Sequence, residues 1–353
     1  MQTKDFYFDL PEELIAQQPC PERGHDRLMR LDRKTGIFSD HRFEDIVSLI
    51  APGTLMVFND SRVRKARVYA TADSSGHRTE FLLIAMYPLA NKSSGTVWKV
   101  MAKNAKRQKP GRSYTFEDGR KAVIIADSEG KLERTEFRLI EFERPIDDVW
   151  LEEHGHLPLP PYIRREDEPA DADRYQTVYA RTTGSVAAPT AGLHFTKAVL
   201  DALQTRGVEQ TMVTLHVGLG TFLPVRAANI EDHVMHEETY SVSEETAEKV
   251  DRAKKEGRPV LAVGTTSIRT LESAWDEEAH RLRVGTSSTH IFIYPGFTFH
   301  VVDKVFTNFH TPESTLLMLV SAFAGREHIM HAYQHAITER YHFFSYGDSM
   351  LID

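Results

Sequence analysis

Cysteine is nearly absent from this sequence. One cysteine, Cys20, stands among 353 residues. A lone thiol closes no internal disulfide, and no CxxC or Cys/His cluster is spaced for a structural zinc, so a reducing compartment is the simpler setting. No apolar run approaches the roughly 18 residues that cross a bilayer, which excludes a spanning helix. The opening MQTKDFYFDLPEELIAQQP carries charges where a secretion signal carries its apolar stretch, so no leader is expected and the cytoplasm is the predicted location. Positive charge is also short, with 43 Lys and Arg against 51 Asp and Glu, a net charge of −8. That balance argues against a surface that grips nucleic acid throughout and leaves room for a local basic patch. No internal repeat of about 20–50 residues is visible, which excludes a solenoid or propeller.

What is present is a globular composition, 41% hydrophobic and 27% charged, in a chain long enough for two domains. Asp9 and Pro11 announce a short helix with acids in its first turn. Leu55–Phe58 reads as a strand running into the polar turn Asn59-Asp60-Ser61. From about Lys65 the character changes. Short stretches rich in strand formers, 79–84, 97–101, 121–126 and 135–142, are separated by the turn pairs Asp118-Gly119 and Glu129-Gly130, the pattern of a small antiparallel barrel. Pro158-Leu159-Pro160-Pro161-Tyr162 reads as a stiff connector. Beyond about Asp171 the pattern becomes α/β: helices over 196–206, from Ser243 to Gly257, over 314–324 and on to about Tyr341, with strands over 211–217, 260–263 and 290–294. The expected fold is an α/β core assembled from both ends of the chain, residues 1–65 and 153–353, with a small antiparallel β-barrel inserted over 66–152.

Several groupings are suited to chemistry. In Ala187-Ala188-Pro189-Thr190-Ala191-Gly192-Leu193-His194, small residues let a ligand approach backbone, and the helix that follows points free N–H groups at it. His194 is placed there as acid, base or donor, or as a packed histidine in a tight loop. His216-Val217-Gly218 ends a strand of the α/β pattern, where ligands of such folds bind, although a bulge explains the glycines equally. Gly264-Thr265-Thr266-Ser267-Ile268-Arg269 is a strand–glycine–helix junction whose hydroxyls, amides and guanidinium suit an anion, or form an ordinary capped turn. It lacks the GK[ST] ending of a Walker loop. His233, His236, Glu237 and Glu238 lie close together without the His-Glu-x-x-His order and without a third ligand fixed by spacing, so no metal is expected. Lys103, Lys106, Arg107, Lys109 and Arg112, with Arg164, Arg165, Arg174 and Tyr175, offer a phosphate backbone cationic contacts or form a solvated face. Tyr341 to Asp348 gathers aromatics beside a carboxylate, which suits a flat purine or a buried tail.

Read together, these motifs resemble the S-adenosylmethionine:tRNA ribosyltransferase-isomerase family of queuosine biosynthesis. The resemblance covers nearly the whole chain. It runs from Phe8-Asp9-Leu10-Pro11, Phe58-Asn59-Asp60-Ser61-Arg62-Val63 and Pro158 to Tyr162, through Arg174 to Tyr179, the Ala-Pro-Thr-Ala-Gly-Leu-His-Phe loop, His216 to Phe222 and Gly264 to Arg269. It ends with Tyr294-Pro295-Gly296, Thr307 to His310, Ser314 to Leu317 and Phe344 to Asp348. The barrel segment matches least. The resemblance implies transfer and isomerisation of the ribosyl unit of S-adenosylmethionine onto the amine of 7-aminomethyl-7-deazaguanine at the tRNA wobble position. Epoxyqueuosine forms, and adenine and methionine leave. It implies S-adenosylmethionine as a substrate, no further cofactor, tRNA as partner and no membrane; we expect a monomer. His194, then His216 and Glu238, are the expected acid–base residues. Thr190, Gly192, Gly218, Thr265, Thr266, Ser267 and Arg269 are expected to hold the nucleoside or its methionine carboxylate. Asp60, Arg62, Tyr346 and Asp348 are expected to frame the base, and Arg164, Arg174 and Tyr175 to meet tRNA. Rival classes are a non-catalytic tRNA-binding module, an S-adenosylmethionine methyltransferase, which would release S-adenosylhomocysteine, and a nucleoside hydrolase, which would show an aspartate-rich calcium site.

Overall fold

The computed structural model describes residues 1–87, 89, 95–127, 136–218 and 225–353. The chain divides into two compact units: residues 1–62, 160–166 and 170–353, and residues 63–159 with 167–169.

The larger unit is built on a nine-stranded mixed sheet. Its spatial order is Gly285–Thr289, Glu238–Val242, Glu209–Leu215, Leu55–Asn59, Val260–Val263, Lys304–Asn308, Ser349–Ile352, Arg27–Leu31 and Phe38–Arg42. Four neighbours in the middle, from Glu209–Leu215 to Lys304–Asn308, run parallel. Leu55–Asn59 and Val260–Val263 are buried at every residue, as strands covered on both faces must be. Alternation then sends Leu55, Val57, Val260 and Ala262 into one core and Met56, Phe58, Leu261 and Val263 into a second on the opposite face. Helices with side-chain caps flank the strands: Thr196 caps Lys197–Thr205, Ser243 caps Glu244–Lys255 and Ser314 caps Thr315–Ala324. Each cap hydroxyl accepts an otherwise orphaned N–H at 3.2 Å.

The smaller unit is a closed six-stranded antiparallel barrel in the order Phe137–Phe142, Val97–Ala102, Arg78–Met86, Arg67–Ala72, Ser113–Phe116 and Lys121–Ile125. Inward residues such as Val68, Phe81, Trp98, Val100, Tyr114 and Ile124 are buried. The expected fold class, an α/β core from both ends of the chain with an inserted barrel, is therefore borne out.

Local readings differ in places. The segment 290–294 is not a strand; the strand lies just before it, at Gly285–Thr289. Ile291, Phe292 and Tyr294 instead pack as loop side chains against the core, while Gly285 to Ser288 are exposed and pair with the open edge of Glu238–Val242. The opening helix is only the 3-10 turn Glu12–Leu14. The turn pair Glu129-Gly130 lies outside the described residues.

Candidate active site

The parallel strands end together, and their carboxyl ends meet at a cavity of about 90 Å³ that opens to solvent. Ligands of open α/β sheets bind in this position. Val217 follows one strand, Gly264 and Thr265 follow a second, and Thr307 and Asn308 close a third; the segment 187–191 and Phe344-Ser345 complete the walls. Gly264 sits at φ +84°, a left-handed conformation that lets the chain turn from strand Val260–Val263 directly into helix Thr265–Ala274. That turn brings Thr265, Thr266 and Arg269 to the cavity at the amino end of a ten-residue helix.

Arg269 is 6% exposed and donates from Nη1 to Glu238 Oε2. Glu238 is buried too, and its other oxygen accepts the Gly218 N–H at 3.0 Å. Among the described residues the rest of the guanidinium has no partner: Nε and Nη2 of Arg269, and Oγ1 of Thr266, are buried and bond none of them. Buried donors of this kind are costly unless a ligand completes them. Among the described residues no carboxylate lines the cavity directly; Glu238 pairs with Arg269 behind it.

Also at this cavity, Thr190 Oγ1 donates to Asn308 Oδ1 at 3.0 Å, and Asn308 Nδ2 lies 2.9 Å from His194 Nε2. His194 Nδ1 is 2.9 Å from Asp26 Oδ2. His194 is 3% exposed and packed between Phe43 and Phe306, so it stands behind the cavity wall rather than in it. His310 lines the cavity and bonds Thr307 Oγ1 at 2.9 Å; burial pushes its pKa down to about 3, which keeps the ring neutral.

Asp26 faces a second cavity of about 560 Å³, also open to solvent, lined among others by Cys20, Arg27, His342, Tyr346 and Asp348. Asp348 accepts the backbone N–H groups of Arg27 at 2.8 Å and His342 at 2.7 Å. Burial, with the nearby Asp26 charge adding to it, raises the Asp348 carboxyl above its ordinary range. Tyr346 donates to Asp171 Oδ1 at 2.7 Å, and burial pushes its phenol up. Asp171 is also gripped by both terminal nitrogens of Arg165. The turn carrying these groups is tight: Phe344 sits at φ +75°, and a side chain on Gly347 would meet the His342 carbonyl oxygen at 2.5 Å.

Thr190, Thr265, Thr266 and Arg269 thus share the first cavity, with Glu238 and Gly218 bonded behind it. Tyr346 and Asp348 line the second. Tyr175, fully buried, lines the first and packs edge-on against Tyr346 with ring centres 5.7 Å apart. Ser267 donates to the Val263 carbonyl at 2.8 Å and is fully buried. Gly192 is a packing glycine, since an added Cβ would lie 2.1 Å from the Tyr179 hydroxyl. His216 bonds Ser61 Oγ at 2.9 Å and covers Gly184, outside both cavities. Asp60 accepts from Thr214 at 2.6 Å and faces a third hollow with Arg181 and Lys249, while Arg62 is exposed; neither shares a cavity with Tyr346. Arg164 pairs with Glu12, and Arg174 donates to the carbonyls of Cys20 and Pro21. On the barrel, His77, Arg78, Lys103, Arg107 and Arg112 line one hollow without a carboxylate among its walls. Among the described residues no group of three or more His, Cys, Asp or Glu is arranged for a metal ion.

Sequence reading did not single out Asp26 or Asn308 as site residues. Asn308 carried a usable signal: a polar side chain that ends a buried strand. Asp26 carried none, because its partner is 168 residues away.

The queuosine biosynthesis protein family model matches residues 3–352. The chain belongs to that family. Similar proteins include the S-adenosylmethionine:tRNA ribosyltransferase-isomerases of Treponema denticola, 58% identical, and Acetivibrio thermocellus, 48% identical, each aligned over the full length of both chains. The crystal structure of S-adenosylmethionine tRNA ribosyltransferase from Thermotoga maritima is similar over 99% of this chain and all of that one, at 34% identity and a TM-score of 0.54. The family resemblance carried by the motifs is therefore borne out. No helix among the described residues is long and apolar enough to cross a membrane.

Proposed function

We propose that this protein transfers and isomerises the ribosyl unit of S-adenosylmethionine onto the aminomethyl group of 7-deazaguanine at the tRNA wobble position. The products are epoxyqueuosine in tRNA, adenine and methionine. Family membership supports the reading, and one observation carries it: Nε and Nη2 of Arg269, which bond no described residue, beside Thr265 and Thr266 at a helix amino end, in a cavity with no carboxylate among its described lining residues. A planar fork with two free donors suits the methionine carboxylate. Gly218 and Glu238 support that fork from behind.

Chemically, the sulfonium acidifies the adjacent ribose C5′ hydrogen, so a base of modest strength removes it. Expulsion of adenine is helped by a proton donor, and the ring oxyanion by hydrogen-bond donors. His194 does not itself line the cavity, so we assign it to orient Thr190 there through Asn308 rather than to transfer a proton. The deazaguanine belongs by this reading in the second cavity, where Asp26 and Asp348 suit its amine and Tyr346 its ring. Arg174 and the barrel hollow are the tRNA-facing cations. The protein works as a cytoplasmic monomer without a further cofactor.

The test is one incubation with S-adenosylmethionine and tRNA bearing the aminomethyl-deazaguanine, followed by mass analysis of digested nucleosides and detection of adenine. Epoxyqueuosine with equimolar adenine is expected. S-adenosylhomocysteine instead would mean a methyltransferase, and tRNA binding without turnover would mean a binding module.

A further inference from the structure

The four side chains between the two cavities carry a hydrogen-bond direction that can be derived. Asn308 Nδ2 faces two atoms, His194 Nε2 at 2.9 Å and the Asp348 carbonyl oxygen at 3.5 Å. A carbonyl only accepts, so the amide nitrogen, not its oxygen, points this way. His194 Nε2 must then accept, and the ring hydrogen sits on Nδ1, directed at Asp26 Oδ2. At the other end Asn308 Oδ1 can only accept, so the Thr190 hydroxyl hydrogen points to it. Every donor therefore points toward Asp26, and Thr190 shows the first cavity only its lone pairs.

We infer that Asp26 and Asn308 are positioning residues that lock the His194 tautomer and make Thr190 an obligate hydrogen-bond acceptor in the first cavity. The ligand group this selects is a donor, and among nucleoside groups a sugar hydroxyl fits that chemistry; this last step rests on the proposed function. The chain joins the cavities, since Asp26 lines the second and Thr190 and Asn308 the first. Substitution at Asp26 therefore acts on a site it does not line.

The ring form of His194 is read directly by two-bond 15N–1H correlation spectra of the protein without substrate, with His194→Gln identifying the signals. The expected wild-type form is the neutral Nδ1–H tautomer. Asp26→Ala removes the anchor and is expected to mix tautomers, whereas Asp26→Asn, whose amide oxygen still accepts, restores the single form. Asn308→Asp replaces the donor at Nε2 by a carboxylate and is expected to yield the imidazolium. In parallel, Thr190→Val should weaken S-adenosylmethionine binding about tenfold, the share of one hydrogen bond, and Thr190→Ser should restore it. A wild-type Nε2–H tautomer or imidazolium overturns the inference. So does an Asp26→Ala protein that keeps both the ring form and the affinity of wild type. The tautomer measurement needs no turnover, so it can hold even where the proposed reaction fails, and fail where that reaction holds.

Discussion

The two cavities of the larger unit differ in charge, although they are joined by one chain of side chains. The first has hydroxyls, apolar walls and a single guanidinium, with no carboxylate among its described lining residues. The second presents Glu13, Asp26 and Asp348 alongside its cations. One invites an anion and the other an amine. A reaction that joins a carboxylate-bearing sulfonium nucleoside to a base-borne amine needs both. The contrast arises from topology: carboxyl ends of parallel strands with a helix amino end build the first cavity, whereas the chain before strand Arg27–Leu31 and the turn before Ser349–Ile352 build the second.

The contrast breaks most severely at Arg269. Arg269→Ala should lower kcat/KM for S-adenosylmethionine by about a hundredfold, ~3 kcal/mol, with the loss appearing in KM. Arg269→Lys should recover little, because an ammonium cannot supply the fork. Next is Glu238→Gln, which leaves the buried guanidinium without its ionic partner; a loss of about 3 kcal/mol is expected, read as a lowered midpoint in denaturant unfolding. Gly192→Ala should cost about 1–3 kcal/mol by overpacking against Tyr179, with a parallel fall in melting temperature.

Acid supplies a subtler probe of the first cavity. His310 has a folded pKa of about 3, below the ordinary imidazole value, so between about pH 6.5 and 3 the unfolded chain binds a proton that the folded chain does not. Stability should therefore fall as pH drops through this window. His310→Gln should flatten that slope, as measured by melting temperature against pH. The smallest effect is expected on the barrel, where Lys103→Ala with Arg107→Ala should raise KM for tRNA only severalfold and reduce the salt dependence of binding by about two ions.

Much of this was legible from sequence where local chemistry and tertiary position agree. Val260 to Arg269 declared both its strand and its helix, because a short apolar run followed by glycine and hydroxyls admits few other structures. The barrel was legible from its short strand-forming stretches and the turn signals between them. The segment 290–294 misled because aromatic and branched residues pack equally well as a loop against a core, while the neighbouring Gly-Thr-Ser-Ser-Thr becomes a strand only through its partner. Within the site, single junctions were visible but their grouping was not. Asp60 and Tyr346 look alike as polar residues in motif runs, yet they face different hollows. The Asp26–His194–Asn308–Thr190 chain spans sequence separations of 168, 114 and 118 residues, beyond any spacing rule.

The most direct test concerns the Arg269 fork. Calorimetry should compare S-adenosylmethionine with its decarboxylated analogue on wild type and on a folded Arg269→Ala variant. Wild type is expected to favour the carboxylate-bearing form by about a hundredfold, and the variant to bind both alike. Equal discrimination by the two proteins would contradict a cavity organised around the carboxylate.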